Sequence, residues 1–373
     1  MKKICFLFVL LALLSGCKKD KITKLDAAAF QTTIDGKDVS LYTISCKDIT
    51  MQVTNYGARV VALWTPDRNG NFADIAIGYE NIDRYVNNNG ERFLGAAVGP
   101  VANRIGGGHF TLDEKEYILP QNNNGQTLHG GEYGIDRIVW DVVRVTQSEI
   151  VMSVLLEDGK DGFPASRKIE VSYLLTPQNE FIVTYAATTD SPTVMNLSHH
   201  SFFNLSGRAD ESVLDYMLTI NSSSLTPVDE YMIPTGEILD VEGTPFDFRT
   251  PCRIGDRIDA EHEQLKLARG YDHNWIISRD TLQGVVKMAD VYDPKSGRGI
   301  EVWSDDIAMQ FYAGNFFDGK TLDKYGRPIV FRSTVVFEPQ HYPDSPNKPS
   351  FPSIRMDQND IYTQTDIYKF YCK

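Results

Sequence analysis

Short runs of β-branched and aromatic residues, separated by turn-forming residues, recur along almost the whole chain. In several of them apolar and polar residues alternate, which is the pattern of a strand that buries one face. The segments between them, such as "DRNGN", "EDGKDG" and "TPQNE", consist of residues that favour turns. The sequence therefore predicts many strands, and the clearest lie at residues 39–46, 150–156, 168–175, 181–187 and 329–338.

Helical periodicity is scarce by comparison. Residues 252–268, "CRIGDRIDAEHEQLKLA", form the one modest candidate for a helix. We therefore expect a mainly β protein, built as a large antiparallel β-sandwich. The interior of the sequence has no linker rich in proline, serine or glycine and no repeat of fixed period. Large sandwiches often fold as one unit, so we expect a single domain over residues 31–373.

The first residues, "MKKICFLFVLLALLSGC", combine two lysines, a short apolar run and small residues. The apolar run is too short to span a bilayer and is typical of a signal peptide, here residues 1–16. Its end, "LSGC", resembles the lipobox of bacterial lipoproteins, in which the cysteine receives a diacylglycerol. We expect lipidation at Cys17, a linker over residues 17–30, and a place in the bacterial cell envelope, lipid-anchored to a membrane and facing the periplasm or the outside. The alternative is an ordinary signal peptide in which this cysteine has no special role.

Charge and cysteine content narrow the classes of partner. The formal net charge of -13 argues against nucleic acid or an anionic membrane surface, because both favour a basic patch on the protein. A neutral small molecule fits this charge. Cys46, Cys252 and Cys372 are far apart and odd in number, so neither a disulfide framework nor a zinc-binding spacing is visible. Whether two of them pair, and whether the chain is a monomer or a homodimer, stays open.

Two adjacent histidines lie in "MNLSHHSFFNL", residues 195–205, a segment that otherwise has the pattern of a strand. Neighbours on a strand point to opposite faces of the sheet. His199 shares its parity with Met195, Leu197, Phe203 and Leu205, and His200 with Asn196, Ser198, Phe202 and Asn204. A polar face that mixes asparagines and aromatics suits the floor of a sugar cleft. Parity therefore favours His200 as the functional histidine, unless a β-bulge reverses the order.

A carboxylate, Glu338, ends the predicted strand 329–338 and is followed at once by a proline. By parity it faces away from Phe337. The side chain lies where the sheet is expected to give way to a loop. Taken alone, a glutamate at this position is more often a solvated surface charge.

Several segments together resemble the aldose 1-epimerase family, the galactose mutarotases. Each motif is weak alone, but they occur in the family's order from about residue 60 to 355, which makes the resemblance specific. The segments are "GPVANRIGGGHF" (99–110), "TLHGG" (127–131), "MNLSHHSFFNL", "TPVDEYMIPTGEI" (226–238), "TPFDFR" (244–249), "GYDHNW" (270–275) and "FEPQHYPDSPN" (337–347). The resemblance implies a supersandwich fold and interconversion of the α and β anomers of aldohexoses such as galactose and glucose.

Matched motif by motif, the resemblance also implies roles for single residues. The catalytic base falls on Glu338 of "FEPQ" and the catalytic acid on His200 of "SHHSFFNL". The substrate-binding positions implied in the same way are Arg104, His129 and Asp272, with Gln310 and Gln340 as neighbours.

The chain departs from the family pattern at several positions. His199 replaces an asparagine, Phe202 replaces a tyrosine, and Pro100 and Val101 stand for an arginine and a tyrosine. None of these changes removes an implied catalytic residue, but they bear on which sugar is preferred.

The implied reaction opens the hemiacetal ring, rotates the C1–C2 bond and closes the ring on the other face of the aldehyde. A base takes the proton of the C1 hydroxyl and an acid protonates the ring oxygen, so no cofactor and no metal is expected. Glutamate and histidine fit these roles if Glu338 starts ionised and His200 starts protonated. We expect the nearby carboxylates Asp272 and Glu338 to raise the pKa of His200 and keep it protonated.

Other residues receive lesser assignments. Phe202, Trp275 and Phe316 are candidates to cover the apolar face of a sugar. The glycines of "RIGGGHF" predict a tight turn between strands, because no helix pattern follows as a phosphate loop would require. The remaining histidines that have no motif support are expected to be structural or solvated, namely His109, His262 and His341.

Three alternatives stay open from the sequence. A hexose-6-phosphate mutarotase of the same fold would need cationic donors beyond Arg104 at the far end of the sugar. A non-catalytic carbohydrate-binding lipoprotein would need neither the acid nor the base. A metal site would be expected to show spacings such as H-x-H or H-E-x-x-H, and the sequence has none.

Overall fold

The computed structural model describes residues 22–87, 90–281 and 283–373. Strands dominate this part of the chain, and its paired strands run antiparallel, which confirms the predicted mainly β class. The predicted signal peptide, Cys17 and the start of the predicted linker lie outside the described residues.

The largest sheet in the described part of the chain has nine strands, and its central strands are long. In Arg167–Leu175 every second side chain is buried, as the alternation in the sequence predicts. In spatial order the strands are Asp141–Val145, Glu149–Leu156, Arg167–Leu175, Glu180–Thr189, Tyr362–Cys372, Arg298–Ser304, Val286–Tyr292, Met217–Ile220 and Cys252–Arg253.

A second sheet has six strands and packs against the first through one shared apolar core. Phe311 and Phe337, on two adjacent strands, stack with ring centroids 5.2 Å apart. Tyr368 of the nine-stranded sheet donates a hydrogen bond of 2.9 Å to the carbonyl of Phe337. These contacts join the layers and confirm the predicted sandwich. In spatial order the strands are Phe202–Phe203, Val335–Gln340, Ala308–Tyr312, Asp272–Ile276, Ser224–Thr226 and Leu239–Asp240.

Smaller sheets complete the fold. A four-stranded sheet consists of Leu41–Cys46, Ile49–Thr54, Arg59–Pro66 and Phe72–Asp74. The two-stranded ladders pair Thr32–Ile34 with Lys37–Val39, Ala96–Val98 with Ser198–His200, Arg104–Ile105 with Thr127–Leu128, His109–Leu112 with Lys115–Ile118, and Thr193–Val194 with Arg355–Met356.

Helices are short in the described residues, and the helix predicted over residues 252–268 is mostly wrong. Its start is the strand Cys252–Arg253, and an α-helix forms only at Glu263–Ala268, where His262 accepts a hydrogen bond from the N–H of Gln264. The other α-helix is Ile82–Val86. The 3₁₀ turns are Ala27–Phe30, Gly106–Gly108, Ile135–Arg137, Lys160–Gly162, Ile254–Asp256 and Ser345–Asn347. The second of these confirms the predicted glycine turn.

The strand predicted over residues 329–338 is wrong in its first half. The structure forms the strand Val335–Gln340, so that Glu338 lies inside a strand instead of at its end. Arg332 has a φ of 57°, in the left-handed region, and its guanidinium donates hydrogen bonds of 2.8 and 2.9 Å to both oxygens of Asp259. This ion pair stabilises a turn at a point where the alternation of apolar residues in the sequence predicts a continuous strand.

Two further observations concern the cysteines and the helices. Cys46, Cys252 and Cys372 are free thiols. Among the described residues, no helix combines the length and the apolar character that crossing a membrane requires.

A buried carboxylate, Asp136, is held by two arginines. Arg92 donates to its two oxygens through Nε and Nη2 at 2.8 Å each, and Nη2 of Arg59 lies 3.4 Å from Oδ2. Arg59 also donates to the backbone carbonyls of Arg92 and Leu94. The cluster therefore fixes the segment that leads into the strand Ala96–Val98, which pairs with the strand of His200.

We predict that Asp136→Asn lowers the free energy of unfolding by about 3–5 kcal/mol, because it leaves two guanidinium groups without their buried counter-charge. Urea unfolding followed by tryptophan fluorescence measures the change. Asp141→Asn is the control, since Asp141 pairs with Lys37 at an exposed site and its loss should change stability by less than about 1 kcal/mol. Similar effects of the two substitutions would contradict the role of Asp136.

Candidate active site

One cavity of about 400 Å³ brings together five of the polar residues singled out from the sequence. His200 ends the strand Ser198–His200, and Glu338 and Asp272 lie on two strands of the six-stranded sheet. Because Glu338 pairs with Gln310 and Asp272 with Tyr312, the strand Ala308–Tyr312 lies between the two carboxylates. These five polar residues of the cavity wall are Arg104, His129, His200, Asp272 and Glu338.

The central contact of the cavity joins His200 and Glu338. The Nε2 of His200 lies 3.5 Å from Oε1 of Glu338, and the two residues are 6% and 2% exposed. The other oxygen, Oε2, has no hydrogen-bond partner among the described residues, although it is buried. A buried acid and base with free bonding capacity can therefore exchange protons with a molecule in the cavity.

Burial sets the protonation of this pair. It raises the pKa of the Glu338 carboxyl well above its usual range, and the neighbouring carboxylate of Asp272 adds to the effect. Burial also lowers the pKa of His200 to about 3. The expectation that nearby carboxylates raise the pKa of His200 is therefore wrong, because desolvation of the ring is the largest cause of the shift. The pair carries one proton in total, and the uncharged arrangement places it on Glu338.

His129 has a fixed tautomer. Its Nδ1 accepts a hydrogen bond of 3.1 Å from the backbone N–H of Asn103, so the neutral ring carries its proton on Nε2. That nitrogen lies 4.0 Å from Oε2 of Glu338. Burial and the neighbouring His200 hold the pKa of His129 well below its usual range. His129 is thus a hydrogen-bond donor to the cavity and not an acid.

The same three side chains raise the question of a metal ion. Ligand-type atoms of His129, His200 and Glu338 lie within 4.8 Å of one another, a cluster that the sequence spacing does not show. A metal would need the lone pair of Nε2 on His129, which requires the ring proton to move to Nδ1, where the N–H of Asn103 already points. The donor set therefore does not fit a resident metal ion.

Arg104 and Asp272 line the same cavity. The Nε of Arg104 donates to Oδ1 of Asn123 at 3.2 Å, and Gln310 donates to Oδ1 of Asp272 at 2.6 Å. Burial raises the pKa of Asp272, and Arg104 opposes this shift. Both side chains keep further bonding capacity for the hydroxyl groups of a ligand.

The two predicted glutamines lie outside the cavity wall. Gln310 holds the carboxylate of Asp272, so its contact with the cavity is indirect. Gln340 is fully buried, and its side-chain oxygen and nitrogen have no partner among the described residues. Their direct contact with a substrate stays a prediction.

Two of the three predicted aromatics reach the cavity. Phe202 lies on its wall, 4.8 Å from the ring of His200 between centroids, and Phe316 lines it with about half of its side chain exposed. The expectation for Trp275 is wrong, because its ring is fully buried in the sandwich core beside Phe311.

The comparisons with known proteins agree with this geometry. A family model described as aldose 1-epimerase matches residues 40–369. The galactose mutarotase of Bos taurus is 35% identical over 332 residues, which cover 89% of this chain and 94% of that protein. The aldose 1-epimerase of Escherichia coli K12 is 31% identical over 319 residues, covering 85% of this chain and 90% of the relative.

The chain belongs to the aldose 1-epimerase family. Solved structures share its fold. A crystal structure of an aldose epimerase homologue from C. elegans has a TM-score of 0.82 at 29% identity and covers 90% of this chain and 99% of its own. The galactose 1-epimerase of Lactobacillus acidophilus has a TM-score of 0.78 at 26% identity and covers 91% and 97%. The resemblance of the sequence motifs is thereby confirmed.

In this family member His199 is part of the core, as parity predicts. Its ring packs edge-on against Tyr173 and Phe181. The hydroxyl of Tyr173 donates to the carbonyl of Ala58, so it accepts from Nδ1 of His199, whose Nε2 then accepts from the hydroxyl of Ser201. His199 supports the strand of His200 from behind.

A second contact joins the strands that carry His200 and Glu338. The carbonyl of Pro339, next to Glu338, accepts hydrogen bonds from the hydroxyl of Ser198 at 2.8 Å and from Nε2 of Gln364 at 3.1 Å. Ser198 lies two residues before His200. His200 and Glu338 are therefore held in one register by a hydrogen bond between their own strands.

Other residues of the cavity wall did not follow from the sequence motifs as functional. Some of them could have been found from the sequence. Asn103 and Leu128 adjoin Arg104 and His129, which the resemblance assigns to substrate binding, and Glu230 to Met232 lie in the quoted segment 226–238. Glu91, Phe93 and Tyr312 lie in no quoted motif. The same is true of the remaining residues of the cavity wall, which are Asn123, Asn124 and Leu267.

We predict that the ring of His200 stays neutral from pH 7 down to about pH 4, since its pKa of about 3 lies below that range. Long-range ¹H–¹⁵N correlation spectra measure the charge and tautomer of each imidazole. His341 is an internal control: burial opposes protonation, but the carboxylate of Asp306 raises the pKa of this ring, so it should gain its proton first. Protonation of His200 before His341 would contradict the effect of burial.

Proposed function

We propose that this protein is an aldose 1-epimerase that interconverts the α and β anomers of aldohexoses such as galactose and glucose. The observation that carries the proposal is the buried pair of His200 and Glu338 at 3.5 Å, at the wall of a cavity lined by polar side chains. The names of relatives that are 31–35% identical over most of the chain support it.

The reaction needs one proton removed and one delivered. The proton of the pair first moves from Glu338 to Nε2 of His200, which lies 3.5 Å from Oε1. The carboxylate then takes the proton of the C1 hydroxyl while the imidazolium gives its proton to the ring oxygen. The C1–O5 bond breaks and the aldehyde forms. After rotation about C1–C2 the two groups reverse their roles, and the ring closes on the other face.

Burial favours the middle of this sequence. Ring opening turns a charged pair into neutral His200 and a protonated Glu338, which is the arrangement that the desolvated cavity prefers. The site therefore stabilises the protonation state that accompanies the open-chain aldehyde.

The remaining polar groups position the sugar. The guanidinium of Arg104 and the Nε2–H of His129 donate, while Asp272 accepts, so the three together can bind neighbouring hydroxyls of a pyranose. Gln310 restricts the carboxylate of Asp272 to one orientation.

The alternatives from the sequence receive less support. Arg104 is the one lysine or arginine among the described residues of the cavity wall, whereas a sugar phosphate would favour several. A binding module would gain nothing from a buried glutamate and histidine in contact, since burying such groups is unfavourable unless the site uses them.

We predict that the protein accelerates the mutarotation of freshly dissolved α-galactose and α-glucose, and that His200→Asn and Glu338→Gln each lower kcat by about 10²–10⁴, because each removes one proton-transfer group. Polarimetry, corrected for the spontaneous reaction, measures the rate.

His199→Asn is the matched control for these variants. It changes the neighbouring histidine, which contacts the core and not the cavity, so most of the activity should remain. Equal losses from His199→Asn and His200→Asn, in variants with unchanged unfolding curves, would contradict the assignment of the acid. Turnover of hexose 6-phosphates alone would contradict the substrate.

We also propose that the mature protein is a lipoprotein of the bacterial cell envelope, anchored through Cys17. The support is the sequence of residues 1–17, in which a short apolar segment ends in "LSGC". The polar segment that follows would act as a tether between the lipid and the domain, which matches the family model from residue 40.

We predict that Cys17→Ala, expressed in a bacterial host, abolishes incorporation of labelled palmitate and moves the protein from the membrane fraction to the soluble fraction. The Cys46→Ala variant is the control and should keep the lipid. If the wild-type protein incorporates no labelled palmitate and is found in the soluble fraction, the anchor is contradicted, while the enzymatic proposal is unaffected.

A further inference from the structure

The charged groups of the cavity are unbalanced. Four acidic side chains line it, namely Glu91, Glu230, Asp272 and Glu338, and of these Glu338 carries the proton that it shares with His200. Against them stands the guanidinium of Arg104 as the one lysine or arginine of the described wall, while the rings of His129 and His200 are neutral. A neutral aldose does not require so much negative charge.

Glu91 is the carboxylate for which the reaction gives no use. It is half-buried, and one of its oxygens accepts a hydrogen bond of 3.0 Å from the backbone N–H of Phe93. The cations near it are Arg59 and Arg92, and both are bound to Asp136. Within the described part of the chain Glu91 has no ion-pair partner within 4.0 Å.

Glu91 acts on the same space as the reactive residues. Its charge raises the pKa of Glu338, after the larger effects of burial and Asp272, and it also contributes to the raised pKa of Tyr312 on the cavity wall. Burial raises the pKa of Glu91 itself. The acidic side chains thus repel one another across the cavity, and a bound cation would offset this repulsion.

We propose that the cavity accepts reducing amino sugars in their ammonium form alongside neutral aldoses, and that Glu91 is the residue that selects them. The inference rests on the proposed function and names a substrate class for the same site. Conversely, uronic acids and sugar phosphates are excluded, because their charge would lie among the carboxylates of Glu91, Glu230 and Asp272, with one guanidinium to offset it.

The chemistry of the amino sugar is the same as that of the neutral aldose. The C1–O5 bond breaks, the C1 hydroxyl loses its proton to Glu338, and the ring oxygen gains one from His200. The ammonium group takes no part in bond making. Its inductive effect on C1 is a property of the sugar and is the same for the wild-type protein and its variants, so a change in kcat/KM ratios between them reports the attraction between the substrate and the wall.

The test compares D-galactose, D-galactosamine hydrochloride and D-galacturonate with the wild-type protein at about pH 6, where amines remain protonated. We expect kcat/KM to be highest for the cationic sugar and lowest for the anionic one, by at least about tenfold between these two. Rates come from NMR magnetisation exchange between anomers. Equal kcat/KM for galacturonate and galactosamine would overturn the proposal.

Glu91→Gln keeps the shape of the side chain and its bond to Phe93 while removing the charge. We expect kcat/KM for galactosamine to fall about tenfold more than that for galactose, and that for galacturonate to rise. Glu230→Gln, at the exposed part of the wall, should shift the ratios in the same direction but less. Glu116→Gln, an exposed residue of the strand Lys115–Ile118, is the matched control and should leave all ratios unchanged.

The two proposals can fail separately. Absence of catalysis with galactose refutes the proposed function, whereas the affinity of galactosamine relative to galactose can still be measured by calorimetry. Catalysis with galactose, combined with ratios that Glu91→Gln does not change, overturns the role of Glu91 alone. An unfolding curve of each variant shows whether a loss reflects instability.

Discussion

The alternation of neighbouring side chains across a strand is the constraint on which the site depends. It sends His199 into the aromatic core and His200 into the cavity, one residue apart. On the facing strand it does the same with Phe337, which packs between the sheets, and Glu338. A slip of one residue in either strand would exchange the core side chain for the reactive one. Packing of the hydrophobic core therefore determines that His200 and Glu338 face the cavity.

The register of these strands has its own reinforcement. Pro339 has no N–H to donate, and its carbonyl accepts from Ser198 and Gln364, so the strand of the base is bound both to the strand of the acid and to the nine-stranded sheet. Groups on strands are held more precisely than groups on loops. The distance between His200 and Glu338 is consequently a property of the sandwich and not of a flexible segment.

Much of this could be predicted from the sequence, because strand alternation is a local pattern. The long strands, the sandwich and the choice of His200 over His199 follow from it, and the order of the motifs identified the family. The turn at Arg332 could not be predicted, since it depends on an ion pair with Asp259 from a distant segment. The effect of burial on the pKa of His200 and the presence of Glu91 in the cavity likewise depend on how remote segments meet.

The pair of His200 and Glu338 holds one proton before ring opening and one proton after it, so a turnover neither consumes nor releases acid. Because the second proton joins His200 only in strongly acidic solution, the pair keeps its working composition over a wide range of acidity. A cell controls the acidity of its cytoplasm far better than that of the space outside its inner membrane. An enzyme tethered there, as proposed, would operate without the protection of cellular pH homeostasis, and the burial of His200 and Glu338 would maintain the protonation of the pair instead.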